Sequence, residues 1–130
     1  MDVSIVSPEK VAWQGDADLV IARSPEGEFG IMAGHIPFLA ALVPGVVTVV
    51  SGSEREAFFV PGGFLEASGS GDDYHVIVLA DDADRAGDVS TDEIRRQIEE
   101  AIARSQGPDV EVSDAQVQAA VSRVELAAQA

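Results

Sequence analysis

Residues 23–45 read RSPEGEFGIMAGHIPFLAALVPG: a glycine-rich loop holding one histidine, then an apolar strand, then a Pro-Gly turn. Glycines at 27, 30 and 34 let the backbone take positive φ or approach another surface closely, and Pro37 stiffens the exit. A loop of this kind is shaped to be read by a partner, and it carries no catalytic set of residues.

On either side of it, residues 2 to about 80 read as short strands divided by turn chemistry. Val3 and Ile5 alternate with polar neighbours before Ser7-Pro8-Glu9, and Val11 to Trp13 precede Gly15-Asp16. Leu19 to Ala22 is an apolar run, and Leu39 to Val43 leads to Pro44-Gly45, a type II turn signal. Further strands follow at 46–50, 57–60, 64–65 and 76–79, separated by Pro61-Gly62-Gly63 and by residues 68–73. Eight or more strands at this spacing predict an antiparallel β-sandwich or flattened barrel over residues 1–86.

The hydrophobic period then changes. Val89-Ser90-Thr91-Asp92-Glu93-Ile94 and Val112-Ser113-Asp114-Ala115-Gln116-Val117 share one layout, a serine N-cap with Glu or Gln three residues later and apolar residues placed to staple the turn. Helices are predicted from about 91 and 114, the first stopping at Gly107-Pro108. The C-terminal part, residues 87–130, is therefore an antiparallel αα-hairpin, and the chain is α+β. At about 16 residues each, neither helix is stable alone in water. The hairpin must lean on another surface, and the polar stretch 81–88 joining it to the sandwich is a candidate hinge. Permanent docking on the sandwich and exchange of packing partners both remain open.

With 130 residues, 8 basic and 23 acidic side chains, the chain carries a net charge of −15. That balance excludes nucleic acid as a partner, because counterion release needs clustered Lys and Arg. It equally disfavours anionic lipid. Solubility and docking on basic or neutral protein surfaces both account for it. Cysteine is absent, so disulfides and thiolate metal sites are excluded. No apolar run reaches the roughly 20 residues a membrane helix needs, and the first residues show no secretion pattern; a soluble, cytoplasmic chain without direct membrane insertion is expected.

Catalytic chemistry finds no foothold. His35 and His75 are the two histidines, 40 positions apart with no ligand set around them. His35 reads as a polar contact or local hydrogen bonder, and His75 as solvent-side strand alternation. Ser70 lies in a turn between strands instead of a nucleophile elbow. The acidic runs at 72–73 and 81–84 lack the calcium-loop pattern. Trp13 and the five phenylalanines fall in strand patterns and read as core. No metal and no cofactor is called for.

The segment Gly27-Glu28-Phe29-Gly30-Ile31-Met32-Ala33-Gly34-His35-Ile36-Pro37, with Val60 to Glu66 and Val78 to Ala86, resembles the epsilon subunit of the rotary, F-type ATP synthase. The resemblance covers nearly the whole chain. It implies a non-catalytic subunit of the central stalk that links the gamma subunit to the membrane c-ring during proton-driven ATP synthesis. It further implies a peripheral position on the cytoplasmic face of the cell membrane, held there by the complex. Glu28, Gly30, Ile31, Met32, Gly34 and His35 are implied as the c-ring loop, with Ile31 and Met32 as its apolar contacts. In many bacterial relatives of that kind the hairpin brakes ATP hydrolysis through basic helices that meet the acidic alpha and beta catalytic subunits. Here residues 87–130 hold 4 arginines and 9 carboxylates, net −5, so only weak inhibition is expected. Arg95, Arg96, Arg104 and Arg123 remain as hairpin contacts. Some relatives bind ATP through Ile/Leu-Asp-x-x-Arg-Ala. Ser90 and Glu93 replace the Asp and Arg of that motif here, and losing a phosphate-binding cation for an anion is expected to remove most of the affinity. The rival reading is a free-standing small-molecule-binding sandwich with a helical lid, to be recognised by a cavity lined by Trp13 and the phenylalanines. A filled core with an apolar patch around Ile31, Met32 and Phe38 favours the stalk subunit.

Overall fold

A computed structural model describes residues 1–106 and 113–128. Ten strands come first: β1 Asp2–Val6, β2 Val11–Asp16, β3 Leu19–Ser24, β4 Gly27–Met32, β5 Phe38–Leu42, β6 Gly45–Ser51, β7 Glu54–Val60, β8 Gly63–Ser68, β9 His75–Ala80 and β10 Asp84–Arg85. Two helices follow, α1 Thr91–Gln106 and α2 Asp114–Ala128. One sheet has the order β2-β1-β9-β8-β5, and the other β10-β7-β6-β3-β4. Their inner faces enclose a core of Val3, Ile5, Val20, Ile31, Val47, Val49, Phe58, Leu65, Val76 and Val78. The pairing is antiparallel except between β1 and β9, which run parallel. The N-terminal strand completes its sheet beside the strand that ends the meander.

The glycine-rich stretch differs from its sequence reading. Residues 27–32 form a strand and not a loop, paired with β3 from Ser24↔Gly27 to Leu19↔Met32. Only the flanking glycines bend the chain, with φ of 129° at Gly27 and 90° at Gly34. Cross-strand hydrogen bonding overrides the poor strand propensity of glycine in the interior of β4. Gly45 opens β6 without a positive φ, so Pro44-Gly45 is not a type II turn.

The hairpin forms a third layer. Ile94, Ile98, Ile102, Val117, Ala120, Val121 and Val124 pack with Phe59 and Ala86 against Val46 and Ala57, on the outer face of β6 and β7. Each large apolar side chain fully buried there contributes about 1.5–3 kcal/mol. The exposed ion pairs on α1 contribute about 0–1 kcal/mol apiece, so apolar burial decides the docking. Helix α1 starts as predicted: the Glu93 amide donates to Ser90 Oγ at 3.2 Å. The reciprocal half of the capping box is not made, because the Glu93 carboxylate accepts from Arg96 and Gln97. Val89 packs on the hairpin core beside Ile94, as a staple requires. The predicted stop at Gly107-Pro108 and the staple residue Val112 lie outside the described residues.

Candidate interaction surfaces

Register fixes which side chains share each face. On the outer side of the first sheet, Val11 pairs with Val6, Val6 with Leu79, Leu79 with Phe64 and Phe64 with Ala41. One row of apolar side chains thus crosses all five strands. It is open to solvent: Phe64 is 54% exposed, Leu79 57% and Val11 58%. The exposed Leu39, two residues before Ala41 on β5, extends the patch. A single exposed leucine needs no explanation, but a continuous row across a sheet marks a contact surface.

These residues escaped the sequence reading, which put every phenylalanine in the core. Phe64 is the correction, since alternation along Gly63-Phe64-Leu65-Glu66 sends Phe64 out with Glu66 while Leu65 is fully buried. The available signal was an apolar residue on the phase that alternation assigns to water.

The six loop residues are not brought together. Ile31 is 1% exposed and belongs to the sandwich core, opposite Val20; it is no surface contact. Glu28, Gly30 and Met32 point to the outer face of the second sheet. Glu28 lies near the 24–27 turn and Met32 at the far end of the strand. Beyond Met32, the turn carrying Gly34 and His35 caps that far end. There the His35 amide donates to the Met32 carbonyl at 3.1 Å, and its Nδ1–H donates to the Ile36 carbonyl at 2.8 Å. The His35 ring stands edge-on to Phe38, which packs on Phe29. His35 is therefore a turn brace. Met32 and Ile36, 61% and 74% exposed, are the apolar tips of this end.

His75 is half-buried and not purely solvent-side: its Nδ1–H donates to the Asp73 carbonyl, so Nε2 accepts from the Ser68 hydroxyl at 3.1 Å. On the hairpin, Arg96 donates to Glu93 and Glu100, and Arg95 donates to Gln118 across the helix pair. The Arg96 hydrogen bond, seconded by Gln97, pulls the Glu93 carboxyl down to about 2. Arg104 borders a charged cleft with Asp81 and Asp82, and Arg123 faces Arg23 of β3. Among the described residues no group of His, Asp and Glu has metal-binding geometry. Five surface clefts of about 200 to 530 Å³ open between sandwich and helices or along the hairpin, and neither Trp13 nor a phenylalanine lines any of them. The inner faces of the two sheets meet in packed apolar side chains, as the stalk reading requires and the small-molecule rival does not. Among the described residues no helix is long and apolar enough to cross a membrane.

Comparison with known proteins agrees with this geometry. Residues 1–86 match the family model of the ATP synthase, Delta/Epsilon chain, beta-sandwich domain. ATP synthase epsilon chain 1 of Methylococcus capsulatus is 42% identical over 130 residues, covering 97% of this chain and 89% of that relative. The ATP synthase epsilon chain of Myxococcus xanthus is 37% identical over 127 residues, covering 98% and 90%. Among solved structures, a chain of the Euglena gracilis mitochondrial ATP synthase, captured with OSCP, F1 and c-ring, superposes with a TM-score of 0.66 at 26% identity, covering 98% of this chain and 79% of that one. Sandwich, hairpin and sequence agree over almost the full length, and the chain belongs to the ATP synthase delta/epsilon family.

Proposed function

We propose that this chain is a non-catalytic central-stalk subunit of a membrane-associated ATP synthase, coupling the gamma subunit to the c-ring. The observation that carries the reading is the exposed apolar row Val11, Val6, Leu79, Phe64 and Ala41 on the sheet face that the hairpin leaves bare. Gamma covers this row. The c-ring meets the end of the sandwich at Met32, Gly34, His35 and Ile36. Gly30 flanks that contact along β4 and Ile31 anchors it from within, while Glu28, at the other end of the strand, stands beside the hairpin. Torque transfer needs a stiff wedge, and a filled two-sheet core supplies one.

The division of labour falls between residues 86 and 87, with a sandwich of residues 1–86 that couples and a hairpin of residues 87–130 that regulates. A net charge of −5 on residues 87–130 opposes approach to acidic alpha and beta subunits, so the hairpin is a weak brake on hydrolysis. Arg95 and Arg96, already engaged within the hairpin, and Arg123, set beside Arg23 of the sandwich, leave Arg104 as its contact cation. The complex holds the chain at the cytoplasmic face of the membrane. Co-purification with gamma and the ring tests the coupling role: wild type is retained, and loss of retention on Phe64→Glu or Met32→Glu, with the fold intact, supports the two faces. Retention of both variants at wild-type level refutes them. ATPase rates with and without residues 88–130 then measure the brake.

A further inference from the structure

Only 8 of the 130 residues are basic against 23 acidic, so cations in this chain are expected to sit beside carboxylates. Lys10, Arg85, Arg95 and Arg96 do, each within 4 Å of an acidic oxygen. Arg23, Arg55, Arg104 and Arg123 make no ion pair among the described residues, and of these Arg23 and Arg123 share the same clefts. Arg23 projects from the outer face of β3, and Arg123 from the third turn of α2. They meet where the hairpin overlies the β3–β6 side of the sandwich. Both arginines line two adjoining clefts of about 240 and 200 Å³, walled by Pro25, Val43 and Pro44 on one side and by Ala120, Leu126 and Ala127 on the other. Among the described residues neither guanidinium has a carboxylate within ion-pair distance. Glu28, the cross-strand neighbour of Arg23, borders the smaller cleft yet pairs with neither arginine. Desolvation, seconded by the charge of Arg23, depresses the basicity of Arg123. Two like charges brought to one cleft are a local cost that a multivalent anion removes.

We propose that the cleft between Arg23 and Arg123 is a binding site for a phosphate-class oxyanion, which bridges the two guanidinium groups and ties α2 to the sandwich. The planar donor fork of arginine suits phosphate oxygens, and two arginines lining one cleft offer two such forks to one ion. The clefts are of a size to admit inorganic phosphate or pyrophosphate. Occupancy fastens the hairpin down from a point outside its apolar core. The site uses neither the apolar row nor the Met32–Ile36 end, so its failure and the failure of the stalk reading are separable.

The experiment is titration of the full chain with inorganic phosphate and with pyrophosphate, against chloride at equal ionic strength. It is followed by calorimetry and by NMR of the arginine Nε–Hε resonances. Wild type binds pyrophosphate, with shifts at Arg23 and Arg123. Arg23→Gln and Arg123→Gln each lose about 10- to 100-fold in affinity, the loss of one charge-assisted contact. Arg55→Gln, an exposed cation lining another cleft, binds as wild type does. In phosphate-free buffer Arg123→Gln melts no lower than wild type, because a repulsion has been relieved. Phosphate and pyrophosphate acting no differently from chloride overturns the proposal, as does binding that survives both glutamine substitutions.

Discussion

Replacing Phe64 and Leu79 together with serine removes the centre of the exposed row without touching the core. The two side chains are directly opposed on β8 and β9, and both point away from the buried inner face. Phe64 is 54% exposed. A phenylalanine offers roughly 200 Å², so about 110 Å² awaits cover, worth about 2.7 kcal/mol at 25 cal/mol/Å². Leu79, 57% exposed, adds about 1–2 kcal/mol by the same reasoning. Buried under gamma, the pair therefore contributes about 4 kcal/mol, near 1,000-fold in dissociation constant. Titration of purified gamma against wild-type and double-variant chain measures it. Urea denaturation of the free chain is the control: its unfolding free energy changes by no more than about 0.5 kcal/mol, since surface substitutions away from special features cost little. A variant that keeps its midpoint and binds gamma within about threefold of wild type shows that this face is not the gamma contact.

Gly63→Ala is expected to destabilise the sandwich severely. Gly63 has φ of 140°, and a Cβ there meets the Leu79 carbonyl oxygen at 2.2 Å, a backbone atom with no room to move. Strain of about 1–3 kcal/mol plus overpacking of similar size lowers the urea midpoint sharply, whereas a wild-type midpoint contradicts the close approach. Glu93 titrates near 2 in the folded chain, below the ordinary carboxylate value of about 4.3. Its support of α1 is thus complete above about pH 4.5 and fades as pH falls toward 2. A carbon-13 carboxyl titration with its midpoint near 4.3 refutes the Arg96 contact. The Tyr74 hydroxyl is buried with no hydrogen-bond partner among the described residues. Tyr74→Phe therefore raises thermal stability by about 1 kcal/mol, and a loss reveals a partner.

The order of strands and helices was legible because local chemistry announces it. Serine caps mark both helix starts, and β-branched runs between glycine turns mark the sheets. Strand β4 was not legible. Gly27, Gly30 and Gly34 look alike in a string of letters, but only the first and last have positive φ. Gly30 lies flat opposite Ile21 because neighbours on β3 supply its hydrogen bonds, and that is information held in another segment. The parallel pairing of β1 with β9 is non-local in the same way, joining the first strand to one that begins more than seventy residues later.

The candidate surface divides along the same line. Glu28 and His35 are seven residues apart in a motif, and a motif suggests one site. Strand geometry carries a chain about 3.3 Å per residue, so the span from Glu28 to Met32 alone separates the two ends by roughly 13 Å. Glu28 consequently shares its neighbourhood with Arg23 and Arg123 under the hairpin. His35 braces a turn at the opposite end. The motif therefore links two surfaces by one stiff strand, its middle pinned in the core by Ile31. A charge change at Glu28 accordingly acts on the hairpin side, and a change at Met32 or Ile36 at the opposite end of the strand. The two should add independently, since sites more than about 7–10 Å apart with no shared partner couple weakly.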